Sequence, residues 1–426
     1  MAESLFPLFQ PSKSSVKKSM TKINACRTCK SKDIQSFFDL GSQPPANSLL
    51  VKPSDRENSY PLNVVWCGNC SLVQIDYTVD PKKLFSHYVW VTGTSKAAQE
   101  YSRRFYNELV SRAGRKKGFV LEVASNDGVF LRPFIDNNYK VLGVDPAQNI
   151  VAMAVKSGVP TICEFFGNEV ANKILKKHGP AQMVFARHVF PHVANTHDFI
   201  KGLRTALADD GILAIEVHYA KTILDELHYD SIYHEHLCYF TLKSLEKILN
   251  DFGLHVFDLI IGPISGGALV VYAKKTRPEQ SESVIELKEG EVRDKTNEFS
   301  SWKEFSQRAY SHREKLLKLL KNVVDSGGKV VGWGASARSS TMLNFAGIDN
   351  RLVSSVADLN PIKQNLYTAG THILIDSPDI VLLSQPTHIF LMAWNFSNEI
   401  ITMLKTKYKY EGQYIIPLPG DPKITS

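Results

Sequence analysis

Short apolar runs, separated by longer stretches of mixed polarity, organise most of the chain. Phe119–Val123, Lys140–Asp145, Gln182–Ala186 and Gly211–Val217 read as buried strands with helical patterns between them. That alternation predicts βαβ units and a parallel sheet. Leu254–Ile261 and Ala268–Ala273 follow closely and are joined through Gly262-Pro263 and Gly266-Gly267, which predicts a β-hairpin with an irregular turn. A parallel sheet ending in an antiparallel hairpin differs from an ordinary dinucleotide fold. Residues 275–326 are charged and helical in pattern. A second α/β unit starts at Gly328–Gly334, with later strands expected at Val353–Ala357, Ile380–Leu383, His388–Met392 and Gln413–Ile416. Upstream, a helix is expected from Lys96 to Ala113, with a domain boundary at the basic stretch Arg112–Lys117.

Composition narrows the class. The 426 residues are 43% hydrophobic and 22% charged, as in soluble globular chains. No run of about 18 apolar residues occurs, so no membrane span is expected, and the absence of a secretory pattern points to the cytoplasm. The net charge of +7 is localised: residues 1–32 hold seven Lys/Arg and one acid, which leaves +1 for the rest. A nucleic-acid binder concentrates charge on a folded face, so no nucleic-acid partner is expected. Residues 1–20 read as a flexible tail, and either Met1 or Met20 can serve as the start.

Cys26-Arg-Thr-Cys29 and Cys67-Gly-Asn-Cys70 are matched C-x-x-C knuckles. Two knuckles supply four thiolates in the tetrahedron that structural zinc accepts, with no open position for catalysis. Gly68 is expected to provide a tight turn through positive φ. Cys163 and Cys238 read as lone thiols. The expected order is a tail over 1–20, a zinc module over 21–95, a cofactor domain over 96–275 and a C-terminal α/β domain over 276–426.

Three segments carry candidate chemistry. The first strand ends in Glu122-Val-Ala124-Ser125-Asn126-Asp127-Gly128, and Asp145 ends the next strand. Gly128 lets the backbone approach a ligand, Asn126 and Asp127 can bond ribose or amino-acid groups, and Asp145 can accept from two ribose hydroxyls. One glycine stands where a pyrophosphate cradle needs three. A ligand with ribose and no pyrophosphate fits better, and S-adenosyl-L-methionine is such a ligand. Tyr233-His234-Glu235-His236 follows the fourth strand, where a histidine held by a carboxylate can act as base and a tyrosine can stabilise an enolate oxygen. His188 and His192, after the third strand, either line the cofactor pocket or cap packing. Gly332-Trp-Gly334-Ala-Ser-Ala-Arg338 opens a helix after a strand. It can hold NAD, hold the phosphates of a nucleotide-bearing substrate with Arg338 adding charge, or pack backbone closely.

Together these segments resemble the sugar C-methyltransferase family, over about residues 24–420. The resemblance rests on the four cysteines, Asp39–Asn47, Ser125–Gly128, Tyr233–His236, Gly332–Ala335, and Ala393–Phe396 with Glu399. It implies an α/β chain: a zinc module, a class I (Rossmann-like) methyltransferase domain and a C-terminal Rossmann-like domain gripping a nucleotide. It implies an enzyme that methylates a keto-deoxysugar on a dTDP-type carrier at the carbon next to the ketone, the zinc being structural; a monomer is expected. His236 resembles the base, tuned by Glu235. Tyr233, and Tyr88 reaching in from the zinc module, stabilise the enolate oxygen, and His234 borders the substrate. This chain departs from the family in reading Ser265-Gly-Gly-Ala-Leu-Val270 where His-Gly-Gly-Ser-x-Arg is common, and in Trp90 where a tyrosine is frequent. The alternatives are an NAD(P)-dependent oxidoreductase and a C-methyltransferase of another ketone.

Overall fold

The computed structural model describes residues 20–88, 90–114, 117–263 and 266–426. The expected tail over 1–19 and Ser265 of the hairpin turn lie outside these residues. Met20, expected to close the tail, opens the first strand.

The N-terminal module holds β1 (Met20–Lys22), β2 (Ile34–Gln43), β3 (Tyr60–Cys67), β4 (Val73–Ile75) and β5 (Tyr77–Val79). β1 pairs with β5, while β2, β3 and β4 form an antiparallel sheet. The next unit contributes β6 (Phe119–Val123), β7 (Lys140–Asp145), β8 (Thr161–Cys163), β9 (Ala181–Arg187), β10 (Leu207–His218), β11 (Cys238–Tyr239), β12 (His255–Gly262) and β13 (Ala268–Lys274). Seven of these form one sheet in the order β12-β13-β10-β9-β6-β7-β8. β6 to β10 are parallel, and the expected hairpin inserts β13 antiparallel beside β10. This is the Rossmann-like sheet, closed by an antiparallel hairpin, that the resemblance implied. Helix Lys96–Arg112 covers one face through Tyr101, Phe105 and Leu109, packed with Phe130, Phe134 and Phe185.

β11 leaves that sheet and pairs with β4, so the strand just after Tyr233–His236 belongs to the zinc module's sheet. Helix Phe299–Asp325 buries Trp302, Phe305, Ala309, His312, Leu316, Leu320 and Val323 along one stripe. Phe38 of β2 meets Phe305, Tyr310 and Phe345 edge-on at 5.3–5.8 Å, so one core runs through all three parts.

The C-terminal unit contains β14 (Val330–Trp333), β15 (Val356–Ala357), β16 (Leu366–Tyr367), β17 (Leu374–Asp376), β18 (His388–Leu391), β19 (Gln413–Ile416) and β20 (Lys423–Thr425). Their order is β16-β17-β15-β14-β18-β19-β20, with a parallel centre and antiparallel edges. The strand expected at Ile380–Leu383 is a helix, Pro378–Leu382. Ser377 caps it, Pro378 presets its first φ and Asp379 faces the positive helix end, so local start signals outweigh the short apolar run. β8, β16, β17 and β20 have no counterpart among the expected strands.

Candidate active site

The sheet of the central unit ends in a turn built from unusual backbone. Ala124, Asn126 and Gly128 all have positive φ, at 57°, 49° and 81°. A Cβ on Gly128 would lie 2.7 Å from Val159, so side-chain-free backbone is required there. Asp145 braces the turn, accepting from the Asn126 amide at 3.0 Å and the Ala147 amide at 2.9 Å. Burial raises the pKa of Asp145 and Asp127 and holds that of Glu122 well above the ordinary carboxylate value. Glu122 Oε2, Ser125 Oγ and Asp127 Oδ1 are buried without hydrogen-bond partners. Such groups call for a ligand with donors. The expected ribose contacts of Asn126 and Asp127 are taken by backbone instead: Thr92 N donates to Asn126 Oδ1 and Gly93 N to Asp127 Oδ2, both at 2.9 Å. Residues 90–93 therefore lie against the turn.

The histidine-rich segment places its four residues in different directions. The Tyr233 hydroxyl lies 2.8 Å from His236 Nε2, and the Ser231 carbonyl 2.9 Å from His236 Nδ1. A carbonyl only accepts, so the proton sits on Nδ1 and Nε2 carries the lone pair. Burial and the neighbouring His192, whose ring packs edge-on at 4.9 Å, hold His236 well below the ordinary histidine pKa, and burial with His188 close by holds His192 at about 4. Both are neutral at pH 7.

Glu235 was expected to tune His236. Its carboxylate instead accepts from Asn47 Nδ2 at 2.6 Å and faces the Tyr88 hydroxyl, with burial raising its pKa to about 7. Burial and the facing Glu235 keep Tyr88 protonated well above pH 10. His234 points away from this group, its Nε2 donating to the Tyr60 carbonyl of β3 at 3.1 Å, so it fastens the segment to the zinc module. Sequence reasoning gave no role to Asn47 or to the Ser231 carbonyl. The Asp39–Asn47 motif was the available signal for the first, and a backbone acceptor leaves none.

The C-terminal glycine turn packs closely. Gly334 has φ 92°, and a Cβ there would sit 2.7 Å from Ala393 Cβ; at Gly332 it would meet Met392 Cε at 2.7 Å. Ser336 caps helix Ala337–Ala346. Arg338 is committed to Asp230 through two bonds of 3.0 and 2.9 Å and stacks over Trp394. Thr341 donates to the Ile232 carbonyl at 3.0 Å. The helix behind the glycine turn thus clamps the segment that carries His236.

Cys26, Cys29, Cys67 and Cys70 converge, with all four sulfurs within 4.8 Å of one another. Cys26–Cys70 and Cys29–Cys67 lie at 3.6 and 3.4 Å, close to the ~3.8 Å edge of a tetrahedron with Zn–S bonds of about 2.3 Å. Gly68 does not supply the positive φ expected of it. That conformation falls at Lys30 and Ser71, the residues after each knuckle, both at 61°, and Gly68 leaves room for Asp33. The Thr196 hydroxyl donates to the Arg27 carbonyl at 2.7 Å, which docks the first knuckle on the central unit.

Family models match three consecutive stretches: "Putative zinc binding domain" over residues 26–85, "Methyltransferase domain" over 98–259 and "C-methyltransferase C-terminal domain" over 263–419. The chain is 32% identical over 413 residues to C-methyltransferase NovU of Streptomyces niveus, covering 95% of this chain and 97% of that protein. Among solved structures, magnesium protoporphyrin IX methyltransferase from Synechocystis PCC 6803, with bound SAM, covers 41% of this chain and 78% of its own at 13% identity and TM-score 0.32. A 1,6-didemethyltoxoflavin-N1-methyltransferase from Burkholderia thailandensis covers 43% and 80% at 19% identity and TM-score 0.32. With its three consecutive domain matches and a relative aligned almost end to end, the chain belongs to the zinc-binding C-methyltransferase family.

Proposed function

We propose that this enzyme transfers a methyl group from S-adenosylmethionine to the carbon next to the ketone of a nucleotide-linked keto-deoxysugar, through an enolate. The observation that carries this reading is the Tyr233–His236 pair, with the His236 tautomer set by the Ser231 carbonyl.

The orphaned polar atoms of Glu122, Ser125 and Asp127 fit the cationic ammonium and the hydroxyls of S-adenosylmethionine. That cofactor, when bound, supplies an electrophilic methyl on sulfur. His236 Nε2 receives the α-proton once the Tyr233 O–H turns to the ketone oxygen. A neutral, buried imidazole is a weak base, so the enolate must be stabilised as it forms. Tyr233, and Tyr88 behind it, donate to the oxygen that gains charge, in a site where few water dipoles compete. The Ser231 carbonyl stabilises the imidazolium that results. The structural zinc fits the four cysteines and holds the module from which Tyr88 and Asn47 reach in.

The C-terminal unit grips the nucleotide in this reading, near Gly332 and Gly334. Arg338 serves there as a strut to Asp230, and Lys363 is a cation that touches the turn, its Nζ donating to the Ala335 carbonyl at 2.6 Å. The second glycine turn is braced like the first: Asp358 accepts from the Ala335 and Asn360 amides at 2.8 Å each, as Asp145 does from Asn126 and Ala147, so the oxidoreductase alternative is separated by titration.

Calorimetric titration of S-adenosylmethionine and of NAD tests the reading, with wild type and Asp145→Ala. Binding of the former alone, lost in the variant, is expected. Binding of NAD without S-adenosylmethionine would overturn it.

A further inference from the structure

A second chain of titratable groups runs from solvent into the seam between the two α/β units. The Glu226 side chain is 47% exposed and meets His228 Nε2 at 2.9 Å. His228 Nδ1 lies 3.4 Å from Nε2 of His218, the last residue of β10. Both imidazoles are buried.

Partner chemistry orders the protons. A carboxylate accepts, so His228 carries its proton on Nε2 and offers a lone pair at Nδ1. The contact with His218 then needs a proton on His218 Nε2. His218 Nδ1 is left as a lone pair, with no hydrogen-bond partner among the described residues. Burial, Arg338, and the histidines His228, His236 and His188 all disfavour a charged His218, so it stays an acceptor. His228 faces Arg338, Asp230 and Glu226 and is likewise held below its ordinary value.

The chain is built into the fold. His218 pairs with Ala268 of the hairpin. The turn lies on His228: Gly266 has φ 81°, and a Cβ there would come within 3.2 Å of His228 Cε1. From the other side the Trp394 ring packs at 4.8 Å, its Nε1 donating to Asp230 at 2.8 Å. The carboxyl end of β10 is where a parallel sheet presents groups to a ligand.

We infer that Glu226 and His228 orient His218 so that its Nδ1 accepts a hydrogen bond from a hydroxyl of the acceptor substrate, making His218 a specificity-determining residue of the site. This rests on the reading of the acceptor as a nucleotide-linked sugar. An obligate acceptor favours a hydroxyl and disfavours a deoxy or keto group at the position it reads.

Nitrogen-15 NMR of histidine-labelled protein reads the tautomers directly. The expected spectrum has imine-type Nδ1 and protonated Nε2 for both His218 and His228, with Glu226→Gln mixing the tautomers. A protonated Nδ1 on His218, or no change in Glu226→Gln, would overturn the inference. Calorimetry with dTDP-4-keto-6-deoxyglucose, dTDP and S-adenosylmethionine supplies the second test. His218→Phe should weaken the sugar nucleotide about 10- to 100-fold and leave dTDP and S-adenosylmethionine within about threefold. Undiminished binding of the sugar nucleotide, or an equal loss for dTDP, would remove the role of His218. Failure of wild type to bind S-adenosylmethionine or the sugar nucleotide would instead remove the reading on which it rests.

Discussion

At the scale of single residues, the site separates proton transfer from charge control. His236 touches Tyr233 and a backbone carbonyl, whereas Glu235 touches Asn47 and Tyr88. His236→Gln should therefore lower methyl transfer by about 10²–10⁴-fold, and Tyr233→Phe by about 10²–10³-fold. The affinity for S-adenosylmethionine should be unchanged by calorimetry in both, because neither side chain braces the Asp145 turn. The carboxylate gives a prediction with a sign. Glu235 titrates at about 7, and the Asn47 and Tyr88 bonds both favour its ionised form. If the ionised form orients Tyr88, kcat rises with pH through about 7. Asn47→Ala removes one of those bonds, so the rising limb should move to higher pH, and Glu235→Gln should abolish it. A limb unmoved by Asn47→Ala, in a kcat profile between pH 5.5 and 9 (roughly the range bracketing such a group), would assign the titration to another residue. His192 acts on stability in the opposite direction to Glu235. Its folded value of about 4 lies below the unfolded 6.5, so its contribution is complete above 6.5 and is lost as pH falls toward 4.

Elements differ in how far they can be read from sequence. Long apolar runs such as Phe119–Val123 and Lys140–Asp145 became strands at the expected residues, because burial on both faces leaves little else for them to do. Ile380–Leu383 failed because Ile380 and Leu383 are exposed, so their apolarity carries no information about a sheet. β8, β16, β17 and β20 have two or three residues each, too few for a period to show. The glycine turns show the same limit. Their positions were legible, but their packing was not, since it depends on residues distant in sequence: Val159 for Gly128, and Met392 and Ala393 for Gly332 and Gly334. That packing makes a paired prediction. Gly334 combines positive φ with a rigid Ala393 neighbour, so Gly334→Ala should cost about 1–3 kcal/mol. Gly332 has no positive φ, and its tightest neighbour is the mobile end of Met392 at 2.7 Å, with Val356 Cγ2 at 3.1 Å, so Gly332→Ala should cost less. Thermal unfolding of the two variants gives the comparison, and equal losses would mean that backbone conformation does not set the cost.

Across the whole molecule, the active segment is held from both sides by parts that carry no reacting atom. β11 joins it to the zinc module's sheet, the Ile75 amide donates to the Leu237 carbonyl at 3.1 Å, and Asn47 reaches Glu235 from the same module. Helix Ala337–Ala346 holds it from the C-terminal side through Thr341. The cofactor turn, by contrast, is braced by Asp145 within the central sheet, and the module's bonds to it among the described residues come from residues 90–93. Stripping zinc releases the two knuckles and with them the register of β3 and β4, because Cys67 ends β3 and Cys70 precedes β4. A chelated protein, or Cys70→Ser, should then lose methyl transfer while keeping most of its affinity for S-adenosylmethionine. Hydrogen exchange should locate the cause. Protection should fall first at Ile75 and at the β4–β11 ladder around Cys238, and persist in β6 and β7 of the cofactor sheet. If cofactor affinity fell in step with activity, the zinc module would have to be supporting the Asp145 turn as well, and the strap at residues 90–93 would be its means of doing so.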